Sequence, residues 1–160
     1  SLVQERGMTE HEAGALWSWI GLLSLVSGPL FGLISDKYGR RTGLITVFSI
    51  QATAYGMAMS MLPIPFLYLS IICFGIVAWS VPTIMAALVG DFAGPEKAAA
   101  VFGFITFIFG FGQIAGPFCA GILAETTKGF TASFFLAAFC AGTGVILSAG
   151  LPRISPSPDR

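Results

Sequence analysis

Residues 42–90 read TGLITVFSIQATAYGMAMSMLPIPFLYLSIICFGIVAWSVPTIMAALVG, a run of 49 without one Asp, Glu, Lys, Arg or His. Water is the wrong solvent for such a run. A hydrocarbon core about 30 Å thick is crossed by about 20 apolar residues in a helix, because lipid offers the backbone no hydrogen-bond partners and the segment must supply its own. The run is too long for one crossing. Pro63-Ile64-Pro65 interrupts it, removing two N–H donors and biasing Leu62 and Ile64 away from helix, so two spans are predicted.

Three more uncharged stretches lie on either side, at 13–35, 98–124 and 129–152. Together they predict five transmembrane helices at 12–35, 42–62, 65–90, 97–124 and 130–151, followed by a polar tail over 152–160. No ten-residue alternation of the kind that marks a barrel strand occurs. The fold class expected is all-α, a polytopic membrane helix bundle. Composition agrees: of 160 residues 55% are hydrophobic and only 10% charged, where a soluble domain carries about 25% charged. Eight basic and eight acidic residues leave no net charge, so no basic field exists to attract nucleic acid, and none is expected as a partner.

The basic residues give an orientation. Lys37, Arg40, Arg41, Lys97, Arg153 and Arg160 fall on one side of the predicted spans, against Arg6 and Lys128 on the other. Basic residues in short loops stay on the cytoplasmic side. The 36–41 and 91–97 turns and the C-terminus are therefore expected in the cytoplasm, in a plasma (inner) membrane. Trp17 and Trp19 sit near the outer end of the first span, suited either to the interface or to packing in the bundle. Cys73, Cys119 and Cys140 lie in three different spans with no CxxC and no neighbouring His, which indicates neither a metal site nor a disulfide framework. No cofactor is implied. The spans hold no Ser-His pair, paired carboxylates or His cluster, and no G-x4-GK[ST] loop occurs, so neither an enzyme nor a nucleotide-driven pump is expected.

The most specific local pattern is Gly32-Leu33-Ile34-Ser35-Asp36-Lys37-Tyr38-Gly39-Arg40-Arg41, at the junction of the first two spans. Gly28 and Gly32, four apart, let another helix approach closely. Asp36 is an acceptor for an Arg or a helix N-terminus, Gly39 permits a left-handed turn, and Arg40 and Arg41 pair with Asp36 or hold the loop at the headgroups. This decapeptide resembles the signature loop of the major facilitator superfamily, G-x-x-x-D-[RK]-x-G-[RK]-[RK], at every specified position. The resemblance implies a secondary transporter in which Gly32, Asp36, Lys37, Gly39, Arg40 and Arg41 form a conformational latch, holding the two halves of the molecule in one access state. In that family the loop joins helices 2 and 3, with a second copy between helices 8 and 9. Ser1 stands where an initiating Met would, and Leu2-Val3 reads as the end of a preceding span. The spans are accordingly similar to helices 8 to 12 of a twelve-helix transporter, with the N-terminal half as the missing partner. Helices 2 to 6 are the alternative.

On the fourth span Gly103, Gly112, Gly116-Pro117 and Gly121, with Ala120, follow G-x8-G-x3-G-P-x2-[AG]-G. Small residues there make a ridge for close helix packing, and Pro117 frees the carbonyl of Gln113 and bends the helix. The spacing resembles the antiporter motif of the superfamily's drug/proton exchangers, carried there on helix 5; packing alone also accounts for it. A surface for a small-molecule substrate is sought on polar and aromatic stripes. On the third span Tyr68, Gly75, Trp79 and Thr83 lie within about 80° of one another at 100° per residue. Trp17, Ser24 and Gly28 share a face of the first span, and Thr106 and Gln113 one of the fourth. Each stripe fits a cavity wall or bundle packing. Proton coupling would require Asp91, Glu125, Glu12, His11 or a residue outside this chain, since the spans hold no ionisable group of these types. A non-transporting membrane subunit is the alternative function.

Overall fold

A computed structural model of the chain describes residues 7–59 and 62–152. Arg6, Leu2-Val3, Arg153, Arg160 and most of the expected polar tail lie outside them. Every element within the described residues is helical: α1 (Glu10–Tyr38), α2 (Arg40–Met57), α3 (Ile64–Gly75), α4 (Ser80–Thr127) and α5 (Thr131–Ala149). Three stretches are long and apolar enough to cross a bilayer: Glu10–Tyr38, Ile64–Thr127 and Thr131–Ala149. The chain is an all-α membrane helix bundle. α2 is less apolar, and its Thr53 hydroxyl is satisfied on its own helix, donating to the Ser49 carbonyl at 2.8 Å.

Local chemistry sets the helix ends. Thr9 caps α1: its hydroxyl accepts from the Glu12 N–H at 3.3 Å, and the Glu12 carboxylate accepts from the Thr9 N–H at 2.8 Å, a reciprocal pair that serves two otherwise orphaned donors. Gly39, at φ 90°, ends α1 and turns straight into α2, a conformation a side chain would strain. Pro63 caps α3 and Pro65 lies in its first turn. Ile64 is thus helical after all, because a first-turn proline has no helical N–H bond to lose.

The structure departs from the sequence expectation in two places. The third span, expected as one helix over 65–90, is divided. Residues 76–79 form tight turns with the bonds Val77 N–H to Phe74 O and Ala78 N–H to Gly75 O. Pro82 cannot donate to the Ala78 carbonyl, and its ring crowds that carbonyl, so the helix gives way one turn upstream. The cytoplasmic turn expected at 91–97 is reduced to one residue, Gly94 at φ 71° and ψ 168°, between two helical runs that together make α4.

The core lies where α1, α2, the break and the first run of α4 meet, in Phe31, Leu44, Val47, Val77, Ile84 and Leu88. α2 packs most extensively on α5. Contacts between α1 and α2 are close enough that a Cβ on Gly43 would sit 2.8 Å from the Ser35 Cβ. Serines fasten the interior. The wholly buried Ser27 of α1 accepts the Trp79 N–H on its hydroxyl at 2.9 Å, and its carbonyl accepts the Ser80 hydroxyl at 3.0 Å. Ser70 donates to the Ala54 carbonyl at 2.7 Å. In lipid such bonds contribute about 0.6 to 2 kcal/mol each.

Gly43→Ala should therefore lower the melting temperature of the detergent-solubilised protein, by an overpacking cost of about 1–3 kcal/mol. Gly142→Ala, where a Cβ meets open space, should leave it unchanged or raise it. Ser27→Ala leaves the Trp79 N–H without its acceptor and should cost about 1–3 kcal/mol; Ser24→Ala, whose hydroxyl only back-bonds to Gly21 at 2.7 Å, should cost less in the same melt.

Candidate functional site: a charged latch at the helix ends

Arg40 opens α2 at a point where the local charges oppose helix formation. The N-terminus of a helix carries partial positive charge, yet α2 begins with Arg40 and Arg41, has no acid in its first turn, and its cap, Gly39, has no side chain to accept an N–H. Carboxylates from other elements offset this. Asp36, in the last turn of α1, pairs with the Arg40 guanidinium through Nη1. Asp91 of α4 takes Nε at 2.8 Å. Ser35, buried against Gly43, accepts from Nη1 at 3.2 Å.

The Arg40 side chain is 16% exposed and that of Asp91 23%, whereas Asp36 is 59% exposed. The Arg40–Asp91 bond is thus the shielded one and is screened least by salt. Burial works against the Arg40 charge, but the hydrogen bonds and charges of Asp91 and Asp36 outweigh it and raise its pKa above the ordinary value, so the cation is permanent. One guanidinium joins the end of α1, the start of α2 and the last turn before the Gly94 kink.

The spacing allows Asp36 to meet Arg40 or Arg41; the structure selects Arg40. Asp91 escaped that reading except as an acid near a span end. Its signal was present, since it and Glu96 are the only acids in the 91–97 turn, on the same predicted side as the Arg pair. Lys37 lies 5.3 Å from the Tyr38 ring centroid, and neither it nor Arg41 makes an ion pair among the described residues. Gly32 lies beside Thr83, whose methyl would be 3.6 Å from an added Cβ.

The substrate-stripe candidates are dispersed. The break separates Tyr68 and Gly75 on α3 from Thr83 on α4, so a single helical phase no longer relates them. Gly75 is a packing residue: a Cβ there would lie 2.9 Å from the Leu23 Cβ on α1. Thr83 bonds back to the Trp79 carbonyl at 2.9 Å and abuts Gly28, whose Cβ would be 3.0 Å from the Thr83 hydroxyl. Trp79, at the break, keeps its side chain 60% exposed, and Trp17 and Tyr68 are also exposed. Thr106 donates to Phe102; it and Gln113 are exposed. The seam glycines Gly103, Gly112, Gly116 and Gly121 meet nothing within 4 Å. The glycine face of that ridge meets open space among the described residues. The fourth span is fastened to α5 lower down, where the Ser133 hydroxyl donates to the Ala120 carbonyl at 2.9 Å. No group of three His, Cys, Asp or Glu is assembled among the described residues.

Several characterised proteins resemble the chain. The chain is 30% identical to the class G tetracycline resistance protein of Vibrio anguillarum over 84% of its own length and 34% of that protein's. It is 24% identical to monocarboxylate transporter 12 of Xenopus laevis, over 83% of the chain and 28% of the relative. With solute carrier family 67 member A1 of Homo sapiens it shares 29% identity over 92% of the chain and 35% of the relative. The chain thus spans about a third of the length of the curated relatives it matches. No solved structure matches it. Its pattern matches the Major Facilitator Superfamily over residues 1–160, and the chain belongs to that family.

Proposed function

We propose that this chain is most of the C-terminal half of a secondary transporter, helices 8 to 12 with the end of helix 7, which moves a small solute across a plasma membrane by alternating access. Its five crossings are 12–35, 42–62, 65–90, 97–124 and 130–151, with the Arg40 latch and the C-terminus on the cytoplasmic side. The observation that carries this is the Arg40 bridge. A latch must hold elements that move relative to one another, and the bridge holds three helix segments at one edge of the bundle with a charge network that can open and re-form.

Two further observations support it. Transporter sites lie near the bilayer middle beside interrupted helices, and the third span is interrupted beside an exposed Trp79 buttressed by Ser27. Trp79, with Trp17, Tyr68 and the edge at Ser24 and Thr83, is the proposed solute surface. The unfilled face of the fourth span, with Gly112, Gly116, Pro117, Thr106 and Gln113, is the proposed seat of the N-terminal half. An intramembrane amide without a partner is costly in lipid, and a neighbouring half offers Gln113 one.

The intact protein, expressed in cells and assayed for tetracycline efflux and for uptake of a labelled short monocarboxylate, tests this. Failure to move any solute in a broad substrate screen would overturn it. Where transport is found, Asp91→Asn and Arg40→Ala should each cut the rate about tenfold or more at unchanged expression, as expected when 1–3 kcal/mol of coupling between access states is removed. Asp36→Asn, at the more exposed carboxylate, should cost less, and Arg40→Ala with Asp91→Asn should be no worse than Arg40→Ala alone. Additive losses would dissolve the latch.

A further inference from the structure

A groove of 850 Å³ opens between the end of α4 and the start of α5. Leu123 and Thr127 line it from α4 and Thr131, Phe135 and Phe139 from α5. Each set is spaced by four, so each wall follows a helix axis. From Thr131 to Phe139 the groove runs about 12 Å at 1.5 Å per residue, most of the depth of one leaflet, about 15 Å.

Phe135 and Phe139 remain 65% and 67% exposed along it, with the Ser133–Ala120 bond holding the helices together nearby. One ionisable side chain lines the groove, Lys128 at its mouth. Lys128 is also the only non-glycine residue with positive φ among the described residues, 56°. Glu125 stands about 200° round α4 from both Leu123 and Thr127, on the far face, and makes no ion pair with Lys128 among the described residues. No acid lies in the first turn of α5, so the one charged side chain presented to the groove is a cation.

An apolar channel parallel to the helix axes, one leaflet deep, with a lone cation at its water end, has the shape and charge of a phospholipid site. We propose that this groove binds an anionic phospholipid, its phosphate at Lys128 and one acyl chain along Phe135 and Phe139. The channel accounts for the chain and the cation for the net negative headgroup. The proposal rests on the membrane embedding of the chain, and transport plays no part in it.

The test uses the intact protein, purified and delipidated in detergent, then exposed to phosphatidylglycerol or phosphatidylcholine of equal chain length. Retained lipid is counted by native mass spectrometry and thermal melting is followed in parallel. Phosphatidylglycerol should be retained and should raise the melting temperature more than phosphatidylcholine does. Lys128→Gln, at an exposed position, should lower phosphatidylglycerol retention about fivefold, the loss of one interfacial cation, and leave phosphatidylcholine unchanged. Ala132→Phe, which fills the groove and keeps Lys128, should abolish the preference. Equal retention of phosphatidylglycerol by both variants would overturn the proposal. So would equal stabilisation by free glycerol phosphate, which marks a site for a soluble anion, or a groove shown by cross-linking to be filled by another part of the protein. A protein that binds the lipid and moves no solute would fail only the transport proposal.

Discussion

Lipid supplies no hydrogen bonds, and the interior of this bundle is arranged around that lack. Where the third span departs from regular helix, a side chain from another span takes up the N–H that is released. The break at 76–79 is the clearest case: Pro82 forces it, and Ser27, more than fifty residues earlier in the chain, accepts the Trp79 N–H and the Ser80 hydroxyl. In water a solvent molecule could serve either group, and the pairing would be optional. In hydrocarbon the cost of an orphaned donor makes it a fixed point between α1 and α4, which explains why a serine is wholly buried there among Phe31, Val77 and Ile84.

The same reasoning applies with opposite sign at the bundle edge. Arg40 and Arg41 oppose the dipole of the helix they begin, so α2 depends on carboxylates carried by other elements. A helix whose first turn is stable only when a neighbour is in place is coupled to that neighbour's position. That dependence ties the start of α2 to two other helix segments: the bonds are charge-assisted and directional, and Asp36 is the more open of the two carboxylates to water.

The helical stretches were legible in the sequence because the solvent writes itself into composition: 42–90 excludes every charge, and the Pro63-Ile64-Pro65 punctuation falls where α3 starts. The signature loop was legible as spacing, but which of Arg40 and Arg41 meets Asp36 was not. What escaped was tertiary. Nothing near residue 76 announces that Ser27 will stabilise a break there, since propensity in an apolar run favours continuous helix until Pro82 is placed against a partner. Asp91 was visible as a residue but not as the shielded partner of Arg40, because sequence does not say which helix end comes to lie beside another. Gly75 looked like a gap in an aromatic stripe and proves to be a point where α1 packs tightly against α3. The glycines of the fourth span were read as a ridge, and among the described residues a Cβ on any of them meets open space.

The kink at Gly94 has a mechanical meaning. With one residue between the two runs of α4, and Pro95 next to it, almost no slack separates the segment anchored through Asp91 from the long run that carries Gln113 and Pro117. A displacement at the anchored end travels into the second run as rotation about a single backbone unit, much as a crank turns on its pin. A longer connection would absorb such a movement; this one passes it on.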